Sequence, residues 1–340
     1  MLLFYGLSFF LLLGAFLPRN RQGLYLLVSF SILFFLSAFR DISVGTDTKH
    51  YEIWFEQFES GVDWMRSSVE PAWVFLNDLV ISYGGEYRDL IVISGFLTLA
   101  PIFFVAKRYS YNPMLTISIF YLLYFYFFSW NGTRQSIAIG FVLVGFVYLL
   151  KEKRLWFVFA VSFAALFHKS ALIALPLMLI HKVPSNRASL ILYTGIAMAL
   201  GILGIEYTSS IVKLTSYVRY IQVYDSGSIL GNLAFLLIFN SFFAFILFTS
   251  KKITVEHKVL FVFVALLNLT IRLPFGDRLI MYFSIYQILF YPYYLSNLKA
   301  QSAISKLTSY TVIILFLYVL FIRKIGANSG EILPYTNILF

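Results

Sequence analysis

The chain has 340 residues, 60% of them hydrophobic and 12% charged, with a formal charge of +10. Soluble domains carry roughly a quarter charged residues, so a soluble globular fold is excluded. No cysteine is present, which rules out disulfides, thiolate metal sites and cysteine nucleophiles. The basic residues are scattered through short loops, so the positive charge does not point to nucleic acid.

Apolar runs of bilayer-crossing length recur along the whole chain: 2–17, 23–39, 88–106, 113–129, 135–150, 155–167, 170–181, 188–205, 229–249, 258–271, 279–296 and 308–322. They predict an all-α polytopic integral membrane protein, a single transmembrane domain over residues 1–340 with about 12 transmembrane helices. Runs such as 141–150 do not alternate as barrel strands do. The first run has no basic n-region or small-x-small cleavage site, so it reads as a retained helix rather than a signal peptide.

The main interruption is 40–71, which holds seven of the 16 acidic residues, from Asp41 to Glu70. Such a cluster belongs in water. Segment 72–84 follows; it is apolar but short, carries Asn77 and Asp78, and reads as a re-entrant or interfacial piece packed against protein. Asp78 there needs a partner, with Asn77 and Arg88 as candidates. Run 155–181 reads as two short helices meeting near His168-Lys169-Ser170, like the broken helices of transfer sites.

With this segmentation every short basic turn falls on one side: Arg19/Arg21, Lys107/Arg108, Lys151–Arg154, Lys182/Arg187, Lys251/Lys252/Lys258 and Lys299/Lys306. That side is cytoplasmic by the positive-inside rule. Loops 40–71 and 206–228, both termini and the polar turns then share the outer face. Positions 50–66 and 206–224 carry amphipathic patterns of interfacial helices.

Arg40, Arg134, Arg272 and Arg278 each stand at the outer end of an expected helix. A guanidinium stays charged when partly buried and grips phosphate through a planar fork. Each of these arginines could also snorkel to the interface or pair locally, as Arg278 with Asp277. Asn131-Gly132-Thr133-Arg134-Gln135 is a polar turn opening a helix, where backbone N–H groups favour an anion, although turn chemistry alone accounts for Asn-Gly. His168 is a candidate base, hydrogen-bond donor or phosphate partner, or a plain helix cap. Asp47 follows Gly45-Thr46 at a natural N-cap position. Glu70 precedes Pro71 in extended backbone, placed to act as a base, align a hydroxyl, or pair with Arg66 or Arg40. No histidine pair has zinc spacing, and no metal or cofactor is required.

Taken together these motifs resemble a known family. Arg40…Val44-Gly45-Thr46-Asp47-x-x-x-Tyr51, Glu70-Pro71…Leu76-Asn77, Asn131-Gly132-x-Arg134-Gln135 and Ala165-Leu166-Phe167-His168-Lys169-Ser170-Ala171 resemble the EpsG-like branch of the Wzy-type polysaccharide polymerases over about residues 1–185. The second half is similar in hydropathy, in the Arg272–Arg278 turn and in an aromatic tail with Pro334-Tyr335. The resemblance implies a multi-pass bacterial inner-membrane glycosyltransferase akin to membrane enzymes that use polyprenyl-phosphate donors. It would polymerise O-antigen or exopolysaccharide repeats by moving the growing glycan from undecaprenyl diphosphate to the non-reducing end of a new lipid-linked unit. It implies Glu70, Asp47 and His168 as candidate catalytic groups. It further implies Arg40, Tyr51, Asn131, Arg134, Gln135, Lys169, Arg272, Asp277, Arg278 and Tyr335 as candidate substrate-binding groups. The lipid-linked oligosaccharide is the partner, with a chain-length regulator a further candidate. A lipid-linked oligosaccharide flippase and a membrane O-acyltransferase are the alternative readings.

Overall fold

A computed structural model describes residues 1–203, 229–273, 276–298 and 302–339. Among these the regular elements are helical, with one isolated antiparallel bridge between Arg40 and Asn337. The chain divides into two compact units, 1–172 with 287–340, and 173–286. The expected outer loop 206–228 and its amphipathic pattern lie outside the described residues.

The first unit begins with α1 (Leu2–Ala15), α2 (Gln22–Ala38), α3 (Thr48–Glu59), α4 (Asp63–Ser68), α5 (Pro71–Ser82) and α6 (Tyr87–Tyr109). It continues through α7 (Pro113–Leu122), α8 (Phe125–Phe128), α9 (Thr133–Leu150) and α10 (Arg154–Ala165). A 3-10 helix, Lys169–Lys182, leads into the second unit, made of α11 (Arg187–Leu203), α12 (Ile229–Thr249), α13 (Val255–Thr270) and α14 (Gly276–Ser284). The chain returns to the first unit with α15 (Gln287–Asn297) and α16 (Ala303–Gly326).

The protein is all-helical and membrane-embedded. Among the described residues four helices are long and apolar enough to cross a bilayer: α2 with its preceding turn, α6, α9 and α16. Helices α1, α5, α7, α10 and α11 are apolar but shorter. The 12 residues of α5 rise only about 18 Å, so it falls short of the hydrocarbon thickness as its sequence predicted. It packs on α3 and α6. The break expected near His168 is present: α10 ends at Ala165 and the chain rewinds as 14 residues of 3-10 helix with Pro176 inside. At roughly 2.0 Å per residue this tighter winding stretches 14 residues to about 28 Å.

Two expected helices are divided. Run 113–129 splits at Tyr124, whose φ of 72° is left-handed; its hydroxyl donates to the Ser329 carbonyl at 2.7 Å. A β-unbranched aromatic in that region costs roughly 1–3 kcal/mol, and no glycine or proline marks the spot. Run 279–296 splits into α14 and α15 at Ile285–Tyr286.

The core of the first unit is α7, every residue of which is buried, flanked by α1, α2, α6, α15 and α16. Helix α9 lies between α6 and α10. The tail after α16 adds a strand-like edge to the loop after α2. Asp41 N–H donates to Thr336 O, Ile338 N–H to Phe39 O, Gly45 N–H to Glu331 O and Thr46 N–H to Gly330 O. Ile332 in that tail is fully buried. Gly45 (φ +101°) and Gly330 (φ +78°) both need left-handed backbone here, and a Cβ on Gly330 would sit 2.3 Å from Asn131 Nδ2.

In the second unit α11 packs on α13 and α12. Asn240 and Asn268 exchange side-chain hydrogen bonds at 2.8 and 2.9 Å, and Asn268 also donates to Thr194 O. Reciprocal amides of this kind satisfy one another among apolar helices.

Candidate functional site

Glu70 is the centre of the one cluster that joins several candidate residues. It occupies the N-cap position of α5 with extended backbone (φ −66°, ψ 144°), and Pro71 takes the first helical position, where a missing N–H costs nothing. The first turn of α5 is stitched to the break after α10. Ala72 N–H donates to Leu166 O at 3.0 Å, and Lys169 N–H returns a bond to Glu70 Oε1 at 3.2 Å. The glutamate is thereby held by two separate pieces of chain.

Its two oxygens are divided between two side chains. Oε2 accepts from Arg134 Nη1; Oε1 lies 3.0 Å from His168 Nδ1. A carboxylate can only accept, so this contact sets the imidazole proton on Nδ1 and leaves Nε2 as the free ring nitrogen. Exposure rises outward across the three, from 9% for the Glu70 side chain to 17% for Arg134 and 28% for His168. Burial pushes the Glu70 carboxyl up. The His168 hydrogen bond, the Arg134 charge and the backbone N–H groups override it and hold it at about 2. Glu70 is therefore ionised at any working pH. As a proton acceptor it is weak; as a fixed negative charge between two cationic or cation-forming groups it is strong.

Arg134 is the second helical residue of α9. Its guanidinium lies 5.1 Å from the Trp54 ring centroid and is hydrogen-bonded to Tyr51, both on α3 one turn apart. Its Nε is buried without a partner, so the fork has an unused donor after Glu70 is served. The amphipathic face expected over 50–66 forms only along α3, where Tyr51, Phe55 and Phe58 are buried and α3 lies against α5; the helix ends at Glu59, and Trp64 on α4 is exposed. The pairing options at Glu70 and Asp78 resolve differently from the local choices. Arg66 bonds Asp78 at 2.6 Å, and Glu70 reaches Arg134, 64 residues along the chain.

Other candidates sit elsewhere. Asp47 is at the N-cap position of α3 without a side-chain cap, and its Oδ1 accepts from Thr46 at 3.3 Å. Asn131 is buried and accepts from Thr46 at 2.8 Å while facing Gly330, so it ties the Val44–Thr48 loop to the tail. Gln135 is buried. Lys169 contributes its backbone N–H to Glu70 while its side chain is exposed. Tyr335 donates to Leu36 O at 3.0 Å, and its ring lies 5.7 Å from Phe4 and 5.8 Å from Trp130. Arg272, Asp277 and Arg278 belong to the second unit; Arg272 donates to Ile202 O at 3.3 Å, and Asp277 and Arg278 are exposed.

Arg40 is 3% exposed. It donates to Ser37 O from Nη1 and lies 5.8 Å from the Trp130 ring centroid. Burial lowers its pKa to about 10. Arg88, named from the sequence only as a candidate partner of Asp78, instead donates to Arg40 O at 2.6 Å and to Ala38 O at 3.2 Å. Trp54 was also missed as a site residue, although its place three residues after Tyr51 on one helix was the available signal.

No curated protein and no solved structure matches the chain. The model of the EpsG family matches residues 23–337, and the chain belongs to that family, whose proteins are of the Wzy-like, exopolysaccharide-polymerase type.

Proposed function

We propose that this protein polymerises lipid-linked oligosaccharide repeats on the outer face of the bacterial inner membrane, moving a growing glycan from undecaprenyl diphosphate to the non-reducing end of a new lipid-linked unit. The observation that carries the reading is the Glu70 carboxylate shared between Arg134 and His168. Displacement at an anomeric carbon with a diphosphate leaving group needs positive charge on the leaving oxygen and an acceptor for the nucleophile's proton. Arg134 supplies the first and His168 Nε2 the second.

The acceptor hydroxyl oxygen attacks the anomeric carbon of the growing glycan. The bond from that carbon to the phosphate oxygen breaks, and the electron pair leaves with the diphosphate, which Arg134 holds. The hydroxyl proton passes to His168 Nε2, and Glu70 balances the imidazolium through Nδ1. Glu70 thus orients both partners and takes no proton. Trp54 over Arg134 offers a flat apolar face of the kind that stacks on sugars. The reading takes about twelve crossings with both termini outside, which puts the Glu70 cluster on the outer face; the short α5 and the break at Leu166–Lys169 support it.

The test is a gel of surface polysaccharide from a deletion strain carrying wild type, Arg134→Ala or His168→Gln, with protein level measured alongside. Collapse of the ladder to a single repeat at normal protein level supports polymerisation. Loss of the single-repeat band would overturn it in favour of export, and an unchanged ladder with altered acetyl content in favour of acyl transfer.

A further inference from the structure

Arg40 poses a separate chemical problem. Its guanidinium is buried and permanently charged, yet among the described residues no carboxylate pairs with it. The charged side chain that bears on it, Arg88, has the same sign. Arg40 lines a narrow cleft with Ser37, Tyr51, Trp73, Ser94 and Thr98. Three polar atoms of these lining residues are buried without partners: Arg40 Nε, Trp73 Nε1 and Ser94 Oγ. The first two only donate, and the hydroxyl can donate as well. The cleft is therefore rich in donors and carries one uncompensated positive charge. Buried charges are as a rule paired.

The space available holds about one water-sized group. A sugar ring or a phosphoryl group does not fit; a monatomic anion does. We propose that this cleft binds a single monovalent anion of chloride size, at a locus separate from the Arg134 fork. One negative charge matches one guanidinium, and the indole and hydroxyl complete its shell. The walls come from the end of α2, Tyr51 of α3, Trp73 in the first turn of α5, the N-terminal half of α6 and the turn into α9, so the anion fastens the elements that surround the loop after α2. Tyr51 lines this cleft and also bonds Arg134, which makes it the wall between the two loci.

The full-length protein, purified in detergent, is titrated with sodium chloride against sodium gluconate at constant ionic strength, and the thermal unfolding midpoint is followed. Chloride should raise the midpoint in a saturable way, and bromide should substitute for it. Ser94→Ala removes one donor with little change in packing, and Trp73→Phe removes another at the expense of a small cavity that lowers the midpoint equally in chloride and gluconate; each should raise the half-saturating chloride concentration about tenfold. Equal midpoints in chloride and gluconate would overturn the proposal in favour of water. A chloride response that both variants retain unchanged would overturn it by placing the anion elsewhere. Protection by inorganic diphosphate with none from chloride would overturn it in favour of a headgroup phosphate.

Discussion

Two arginines of the first unit, Arg134 and Arg40, sit in opposite settings. Both follow the same sequence logic, a guanidinium at the end of an apolar helix. Arg134 has a carboxylate on one edge, an aromatic face against it and a path to solvent through His168. Arg40 has a backbone carbonyl, an indole face and no acid. A charge that is paired and half open can exchange its partner for an incoming anion at small cost. A buried charge with no acid beside it has nothing to give up to a large headgroup, and the small anion proposed for it serves structure. Position along a helix therefore does not reveal an arginine's work; the neighbour brought from far along the chain does.

The largest effect should come from Arg134. Arg134→Ala should reduce polymer formation at least about 100-fold, the scale of removing one donor to a developing anion. Arg134→Lys should restore little, because a point charge cannot serve Glu70 and a diphosphate together. Recovery of full-length ladders by the lysine variant would erase the distinction between the two arginines.

His168→Gln should cost about 10²–10⁴-fold in the rate of chain extension, typical of losing a general base. Glu70→Gln should cost less, and it should lower the height of the pH–rate profile between pH 5 and 8 without abolishing its acid limb, since Glu70 is already ionised down to about pH 2 and contributes no limb of its own. An acid limb that vanishes in Glu70→Gln would make Glu70 the base after all. The same residue gives a stability test. Its folded-state value lies below the ordinary carboxyl value near 4.5, so its stabilisation is fully present above about pH 4.5 and fades as pH falls towards 2, at most about 3 kcal/mol in all. The unfolding midpoints of wild type and Glu70→Gln should converge as pH is lowered from 6 to 3.

Arg40→Met removes a buried charge and leaves the volume filled. In gluconate its midpoint should equal or exceed that of wild type, by up to about 1 kcal/mol, whereas in chloride wild type should be the more stable. Asn131→Ala should cost about 1–2 kcal/mol of stability, through the lost bond to Thr46, and should leave ladder length unchanged at permissive temperature. The smallest effect belongs to Arg66→Ala. Its pair with Asp78 is 39% exposed on both sides, so less than about 0.5 kcal/mol should be lost.

Much of the fold was legible because apolar length is written directly in the chain. Helix α12 spans Ile229–Thr249 as its run indicated, and the gap at Leu166–Lys169 and the short α5 follow from polar residues and length. The breaks at Tyr124 and at Ile285–Tyr286 were not legible, because no glycine or proline marks them and the cause at Tyr124 is a tertiary bond to Ser329. Of the site, Glu70, Arg134, His168 and Tyr51 were all picked out separately, but their pairing was hidden. Sequence proximity favours Arg66 for Glu70, whereas the contact made runs through the packing of α5, α9 and the turn after α10. The burial of Arg40 and Asn131 was hidden for the same reason, since a polar turn looks alike whether solvent or a returning tail covers it.

That tail has a consequence for timing. The loop after α2 is held on one side by Trp130 and Asn131 and on the other by residues 330–338, with Ser43 and Thr336 meeting across 293 positions of sequence. During synthesis the early helices enter the membrane long before that segment exists. Contacts this distant in sequence form late, so the loop of Arg40 and Asp47 waits, open, until the tail arrives. A nascent chain stalled anywhere before residue 329 has its Glu70 and Arg134 helices in place beside an unfinished wall. Assembly order itself leaves the loop of Arg40 and Asp47 without its backing until translation has passed α16 and the residues after it.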